Sequence, residues 1–361
     1  MSKHKDNDEL RGSSSMNSEI SPNEQQLVSL VEVEDAELAR KESQSKSQGQ
    51  LVRRRFLNHK AAMISTVILV VITVTAFTSI GFAGIPGWWG KSYMMSGSVI
   101  NGGAPTLSLW PTWLGGNGLA IGEHPFGQDN TGKDYFALVM RGTQKSIIIA
   151  VVVGGLSTFI GAIIGALAGY FRGWIDEVLM RLTDLFIVIP LLVLAAVLGQ
   201  MAGSSSNSIF ALAFVLGLLT WTGLARLVRG EILSLREREY VAAAQAMGSK
   251  TSRVIFKHLL PNTIGVIVVN ATFAVAGAIL LETSLSFLGF GVKAPESSLG
   301  LLISQYQNAF TNRPWLFWWP GMIIVAIALS VNFLGDGLRD AFDPRQTKKT
   351  RRRKKQEEEQ A

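Results

Sequence analysis

The 361-residue chain has no cysteine. That excludes a disulfide framework, a thiolate metal site and a cysteine nucleophile, and it leaves the redox compartment unread. Charge is also scarce. Charged residues make up 17% of the chain, against about 25% in soluble domains. The four histidines (His4, His59, His124, His258) are scattered, without metal-ligand spacing. A G-x-x-x-x-G-K-[ST] phosphate loop is absent, so ATP hydrolysis on this chain is not expected. No internal repeat is visible. The first fifty residues contain no aromatic side chain.

What is present is apolar. Hydrophobic residues make up 48% of the chain, and the mean hydropathy is +0.27. Six apolar runs approach the roughly 20 residues a bilayer requires. They cover about Ala61–Ala83, Ser146–Gly169, Val178–Met201, Ile209–Val228, Thr263–Leu285 and Phe317–Leu338. These runs predict an all-α polytopic membrane protein. Gly154, Gly155, Gly161, Gly165 and Gly169 give the second run small faces for helix contact. Pro190 predicts a kink in the third.

The polar segments complete the plan. Residues 1–50 form a disordered tail, with Glu24–Lys41 as a transient polar helix. A basic flank and the first span occupy 51–83. An irregular loop with little prospect of folding alone occupies 84–145. A five-helix core spans 146–345, including a polar loop at 229–262. A basic then acidic tail fills 346–361. The net charge of +7 sits beside the spans and in this last tail. It therefore reads as an orientation signal and lipid contact, not as a nucleic-acid surface. Arg53–Arg55, Lys60, Arg172, Arg226–Lys257 and the 348–353 cluster lie on one side, which places both termini in the cytoplasm.

Between spans four and five, Glu231–Met247 is built from strong helix formers with no Gly or Pro. Gly248 suits a left-handed helix end, Ser249 or Thr251 can cap a second helix, and Pro261 opens the next element. A helix–turn–helix hairpin is expected, with small residues near its bend. Within the spans, Arg181 with Asp184 and Asp336 with Arg339 have the i, i+3 spacing of structural pairs. Asn270 and Asn332 either bond between helices or line a pathway.

The stretch "REYVAAAQAMGSKTSRVIFKHLLPN" (Arg238–Asn262) resembles the cytoplasmic signature of ATP-binding-cassette importer permeases, E-A-A-x-x-x-G followed after nine residues by I-x-L-P. Here the frame reads Ala242, Ala243, Ala244, Gly248, His258, Leu260 and Pro261. The motif glutamate is thus alanine and the isoleucine is histidine, while Glu239 lies about a turn earlier. "HPFGQDNTGKDYFALVMRGTQKSI" (His124–Ile147), "ETSLSFLGFGVKAPESSLG" (Glu282–Gly300) and "PGMIIVAIALSVNFLGDGLRDAFDPR" (Pro320–Arg345) resemble the dipeptide/oligopeptide branch, and specifically its C-type permease subunit.

The resemblance implies a multi-pass protein of the bacterial plasma membrane. It implies a second homologous permease, two ATPase subunits that use ATP, and an extracytoplasmic substrate-binding protein, with no cofactor on this chain. It makes the hairpin (Glu239, Ala243, Ala244, Met247, Gly248, Leu260, Pro261) the coupling element that docks into an ATPase groove. It makes Glu282 a gate-region position, with helix packing as the alternative, beside the pathway candidates Asn270 and Asn332 of the spans. Related permeases also carry nickel, glycosides or other small solutes. Outside the resemblance stand an ion-coupled secondary transporter, which calls for an intramembrane carboxylate relay, and a membrane scaffold.

Overall fold

The computed structural model describes residues 48–108, 120–202 and 208–343. The 346–361 tail, the transient helix and residues 1–47 of the expected disordered tail fall outside these residues, whereas residues 48–50 of that tail are helical. By its internal contacts the chain divides into residues 1–54 and 55–361. The described part of the first unit is the opening of helix α1 (Gln48–Asn58).

The second unit is helical. After α1 come α2 (Lys60–Ser79), α3 (Tyr135–Phe171), α4 (Gly173–Val188), α5 (Leu191–Ala202), α6 (Ser208–Leu219) and α7 (Thr222–Arg236). Then follow α8 (Glu239–Ala246), α9 (Thr251–Phe287), α10 (Leu299–Tyr306) and α11 (Trp315–Phe342). Among the described residues, β pairing is limited to isolated bridges. Four helices, α2, α3, α9 and α11, are long and apolar enough to cross a membrane. The count reaches six if the bent pairs α4/α5 and α6/α7 each form one span.

Those bends are sharper than the sequence suggests. At Pro190 the chain turns by 86° between α4 and α5, a corner where a kink was expected. A 41° bend separates α6 from α7 at Thr220–Trp221, within an apolar run that carries no proline. α3 also begins at Tyr135, well before the hydropathic start at Ser146. Asp134 caps it by accepting from the Ala137 amide at 2.8 Å, and Tyr135–Met140 are all buried. Packing against the loop and its neighbours holds this extra length, which a bilayer-length criterion does not register.

Glycines set how the helices meet. Gly161, Gly165 and Gly169 of α3 face the carbonyls of Trp221, which caps α7, and of Ala225 and Arg229 within it. A Cβ at those glycines would come within 2.8, 2.5 and 2.9 Å of the oxygens. Both rows repeat every four residues, so the two backbones lie in register along three turns. Gly154 receives Val275 of α9, Gly335 of α11 receives Thr272 of α9, and Gly337 receives Ala62 of α2. The neighbour order is therefore α2, α11, α9, α3, α7. Outward faces stay apolar. On α11, Trp318, Met322, Val325, Leu329 and Phe333 form an exposed stripe at helical spacing, the surface that a lipid solvent accommodates.

Candidate functional site

The polar loop after α7 folds as a bend between two helices, with boundaries that differ from the expected ones. The helix predicted over Glu231–Met247 breaks at Glu237–Arg238, where Arg238 is extended. Tertiary contacts override helix propensity at this point. Arg236 donates to the Tyr170 carbonyl and lies over the Tyr170 ring, 5.5 Å from its centroid. Arg172 pairs with Glu237. The break turns α8 so that Val241 enters a small apolar core with Val228, Ile232, Val254, Ile255 and Leu259, and Ala244 is buried as well.

α8 ends in a complete C-terminal motif. The Gly248 amide donates to Gln245 O at 2.9 Å and the Ser249 amide to Ala244 O at 3.1 Å, with Gly248 at φ +75°. A Cβ at Gly248 would meet nothing within 4 Å, so only backbone conformation restricts the position. Met247 beside it is 80% exposed. Glu239 and Ala243 are exposed too, whereas Ala244 is 4% exposed and faces its own chain. Neither Ser249 nor Thr251 caps the next helix. Lys250 holds the N-cap position without a side-chain bond.

Pro261 stands in the first turn of the α-helical stretch Leu260–Phe287, as expected, but that stretch is not separate from what precedes it. The helix runs on from Thr251 to Phe287, with a π-helical stretch at Val254–Leu259. Proline has no N–H and its ring clashes with the carbonyl four residues back. The wider π turn, marked by the Leu260 amide donating to Ile255 O, lets the chain pass this point. The Asn262 side chain donates to the His258 carbonyl at 2.6 Å. Leu260 is half-buried and Pro261 exposed.

Ion pairs tie the base of this bend to the α3–α4 corner. Arg229 of α7 grips Asp176 of α4 through two bonds of 2.6 Å, and Gln245 of α8 donates to the Tyr170 hydroxyl at 3.3 Å. Asp184 pairs with Arg226 of α7, not with Arg181 as its spacing suggested. Among the described residues no ion pair joins Asp336 to Arg339. The carboxylate on that turn that finds a partner is Asp340, 3.5 Å from His59 Nε2. Tyr170 and Asp176 were not singled out in the sequence, and Arg172 was named only for orientation. The only signal at Arg172 and Asp176 was charge at a helix end, which does not identify a partner across a fold, and Tyr170 gave none.

At the opposite end of α9, Glu282 is fully buried. Its carboxylate accepts from Ser286 at 2.7 Å and Ser146 of α3 at 3.1 Å. Ser146 Oγ in turn accepts from the Leu299 amide, the first N–H of α10, at 3.2 Å. The carboxylate thus knots α3, α9 and α10 together. Asn270 lies twelve residues away, about 18 Å along the helix axis, and donates to Val266 O of its own helix. Asn332 is half-buried on α11. Glu282, Asn270 and Asn332 therefore do not form one cluster.

The far end of α10 is anchored as well. Tyr306 donates to Asp129 at 3.1 Å, and burial, then the Asp129 charge, push its phenol above the ordinary value. Asp129 also accepts from the Thr131 and Lys133 amides at 2.8 Å. Beside it, Asp134 bonds Trp89 at 3.0 Å and His124 at 2.7 Å. These carboxylates hold the described parts of the 84–134 segment together. Among the described residues no group of three or more potential ligands is placed to hold a metal ion.

Residues 161–348 match the family of binding-protein-dependent transport system inner membrane components, and residues 47–86 match the N-terminal transmembrane domain of oligopeptide transport permease C. The chain is 39% identical over 300 residues to the oligopeptide transport system permease protein OppC of Mycobacterium tuberculosis, covering 82% of this chain and 95% of that one. It is 33% identical over 314 residues to OppC of Bacillus subtilis, covering 87% and 94%. A putative peptide permease of Brucella ovis is 37% identical over 303 residues, covering 83% and 92%. Among solved structures, the inward-facing MetNI methionine ABC transporter aligns with a TM-score of 0.48 at 19% identity, over 58% of this chain and 98% of that one.

Proposed function

The chain belongs to the family of binding-protein-dependent transport system inner membrane components, and from that premise we propose how its parts divide the work of transport. It is a permease subunit of an ATP-binding-cassette importer for peptides. It is a transport component, and ATP is hydrolysed on separate subunits. Each bent helix pair counts as one span, which gives six, with both termini in the cytoplasm of a bacterial cell. The complete importer contains a second homologous permease, two ATPases and an extracytoplasmic substrate-binding protein.

The α8–α9 bend is the coupling element. The observation that carries this reading is its construction: Met247 and Gly248 are exposed on a bend whose other side is buried, Val241 in the chain's own apolar core and Ala244 at 4% exposure. Moving a two-state gate from 1:99 to 99:1 takes about 5.5 kcal/mol, and exposed ion pairs supply about 0–1 kcal/mol each. Docking therefore rests on close contact at Ala243, Met247 and Gly248, with Glu239 on the rim. Ala244, Leu260 and Pro261 set the frame. The Asp176–Arg229 and Arg172–Glu237 pairs carry a push on the bend into α4. Glu282 belongs to the outer gate region as a knot that holds α10, while Asn270 and Asn332 lie along the pathway.

Reconstitution tests the reading. Peptide uptake into vesicles is expected only when this chain, a second permease, the ATPases, the binding protein and ATP are all present. Uptake by this chain alone, driven by an ion gradient, overturns it.

A further inference from the structure

The chain turns by 86° at Pro190, between α4 and α5. Both ends of this helix pair are tied down. Near its start, Asp176 is bonded to Arg229 at the base of the α8–α9 bend. Near its finish, Gln200 accepts from Lys293 at 2.9 Å, just past the Glu282 end of α9. The corner falls between these two anchors. Its backbone lacks partners. A helix leaves its last four carbonyls unsatisfied, and α4 ends at Val188. Ile189 is extended, and Pro190 has no N–H to offer. Among the described residues, no backbone N–H outside α4 bonds to the carbonyls of Ile187, Val188 or Ile189. The chain's own fold does not cover them, since residues 187–193 are all exposed, Val188 at 79%.

A second feature lies on the same face of α4. Asp184, one turn before Ile187 and Val188, pairs with Arg226 of α7, and both side chains are half-exposed. Lipid accommodates neither feature. Irregular backbone at membrane depth occurs only against protein or a water-filled cavity, and charges within spans face the same two surroundings. The corner and the ion pair therefore turn this side of α4 toward a wet space inside the assembly. An extended peptide in that space carries what the corner lacks, a row of backbone N–H donors. The side chains around the free carbonyls, Ile187, Val188, Ile189, Leu191 and Leu192, hold no charge and no hydrogen-bonding group, so they select for no particular residue of a peptide. We propose that the α4–α5 corner lines the translocation pathway, and that the carbonyls of Ile187, Val188 and Ile189 accept from the backbone N–H groups of the passing peptide. This deepens the peptide-transport reading above and rests on it. Recognition through the backbone is blind to peptide sequence. α4 also receives the push from the coupling bend, so the corner stands where that movement meets the peptide.

The cysteine-free chain makes the test direct. One variant is Val188→Cys. The control is Val325→Cys, on the exposed apolar stripe of α11. Each is assembled with the second permease and the ATPases in nanodiscs. The binding protein is left out, so that its own selectivity does not enter. A water-soluble methanethiosulfonate reagent is added with and without ATP, and the label on this chain is counted by mass spectrometry. Val188→Cys is expected to label and Val325→Cys to stay unlabelled. Trialanine is expected to slow the labelling of Val188→Cys. About tenfold more of its backbone N-methylated analogue is expected to be needed for the same protection, because methylation removes the donors. A Val188→Cys chain as inert as Val325→Cys, with and without ATP, overturns the proposal and makes the corner a contact with the second permease. Labelling that neither peptide slows, or that both slow equally, overturns it too. Peptide uptake by wild-type vesicles alongside any of these results leaves the transport reading standing. Wild-type vesicles that take up no peptide sink that reading, and this inference with it.

Discussion

Gly165 of α3 faces the backbone carbonyl of Ala225 on α7, so that a Cβ at Gly165 would lie 2.5 Å from that oxygen. No rotamer relieves such a contact, because the obstructing atom is backbone. Gly165→Val is therefore expected to push α3 and α7 apart, at about 1–3 kcal/mol, and to lower membrane abundance and melting temperature. Gly230→Ala is the control, since a Cβ there meets nothing within 4 Å. It should be neutral or slightly stabilising through helix propensity. Equal melting temperatures for Gly165→Val and the wild type would contradict the register described for this helix pair.

The bend gives a second expectation. At φ +75°, a β-branched residue at position 248 is strained by about 1–3 kcal/mol. Gly248→Val should leave the spans intact, because the position is exposed and far from their contacts. It should separate ATP hydrolysis from uptake, or weaken ATPase binding. Gly248→Ala should be milder. Uptake and ATPase rates in reconstituted complexes decide it, and wild-type uptake by the valine variant removes the bend from the coupling role.

Asp176 and Arg229 should behave as a unit. Their two bonds of 2.6 Å sit at a partly buried site, where a bidentate pair outweighs the about 0–1 kcal/mol of an exposed one. A double-mutant cycle with Asp176→Asn and Arg229→Gln, read by thermal unfolding, should show a favourable coupling of about 1–2 kcal/mol. Strict additivity would mean that the pair does not hold α4 to α7.

Burial of the Glu282 carboxylate predicts a different pattern. Glu282→Ala removes the acceptor shared by Ser146 and Ser286 and leaves a cavity, so it should destabilise by about 2–5 kcal/mol. Glu282→Gln retains shape and one carbonyl acceptor, and the serine hydroxyls can turn to accept from its amide. It should keep most of the stability. A glutamine variant as unstable as the alanine variant would show that the charge, and not the bonded shape, holds α10.

The absence of cysteine makes orientation directly testable. Single cysteines at Ser45 and Ser98 can be probed with an impermeant thiol reagent in intact cells. Labelling is expected at position 98 and not at 45, and the reverse pattern would invert the proposed topology.

The sequence by itself determined the class of structure, because long apolar runs with few charges have only a bilayer in which to hide. It also determined the positive φ at Gly248, a local demand of a chain leaving a helix, and the family, through four motifs in order. The tertiary structure decided the rest. Arg181 stood three residues from Asp184, yet Asp184 went to Arg226, since helix neighbours compete with groups that a fold brings across. Ala244 and Met247 looked alike as small or flexible residues near a bend. Only the break at Glu237–Arg238, fixed by Tyr170 and Arg172, turned one inward and left the other exposed. Pro261 read as a start and does open an α-helical stretch, but a π turn upstream joins that stretch to the helix before it. Propensity and hydropathy are sums over neighbours in sequence. Which face is buried, and which charge is answered, depend on surfaces more than a hundred residues away, as between Ser146 and Glu282.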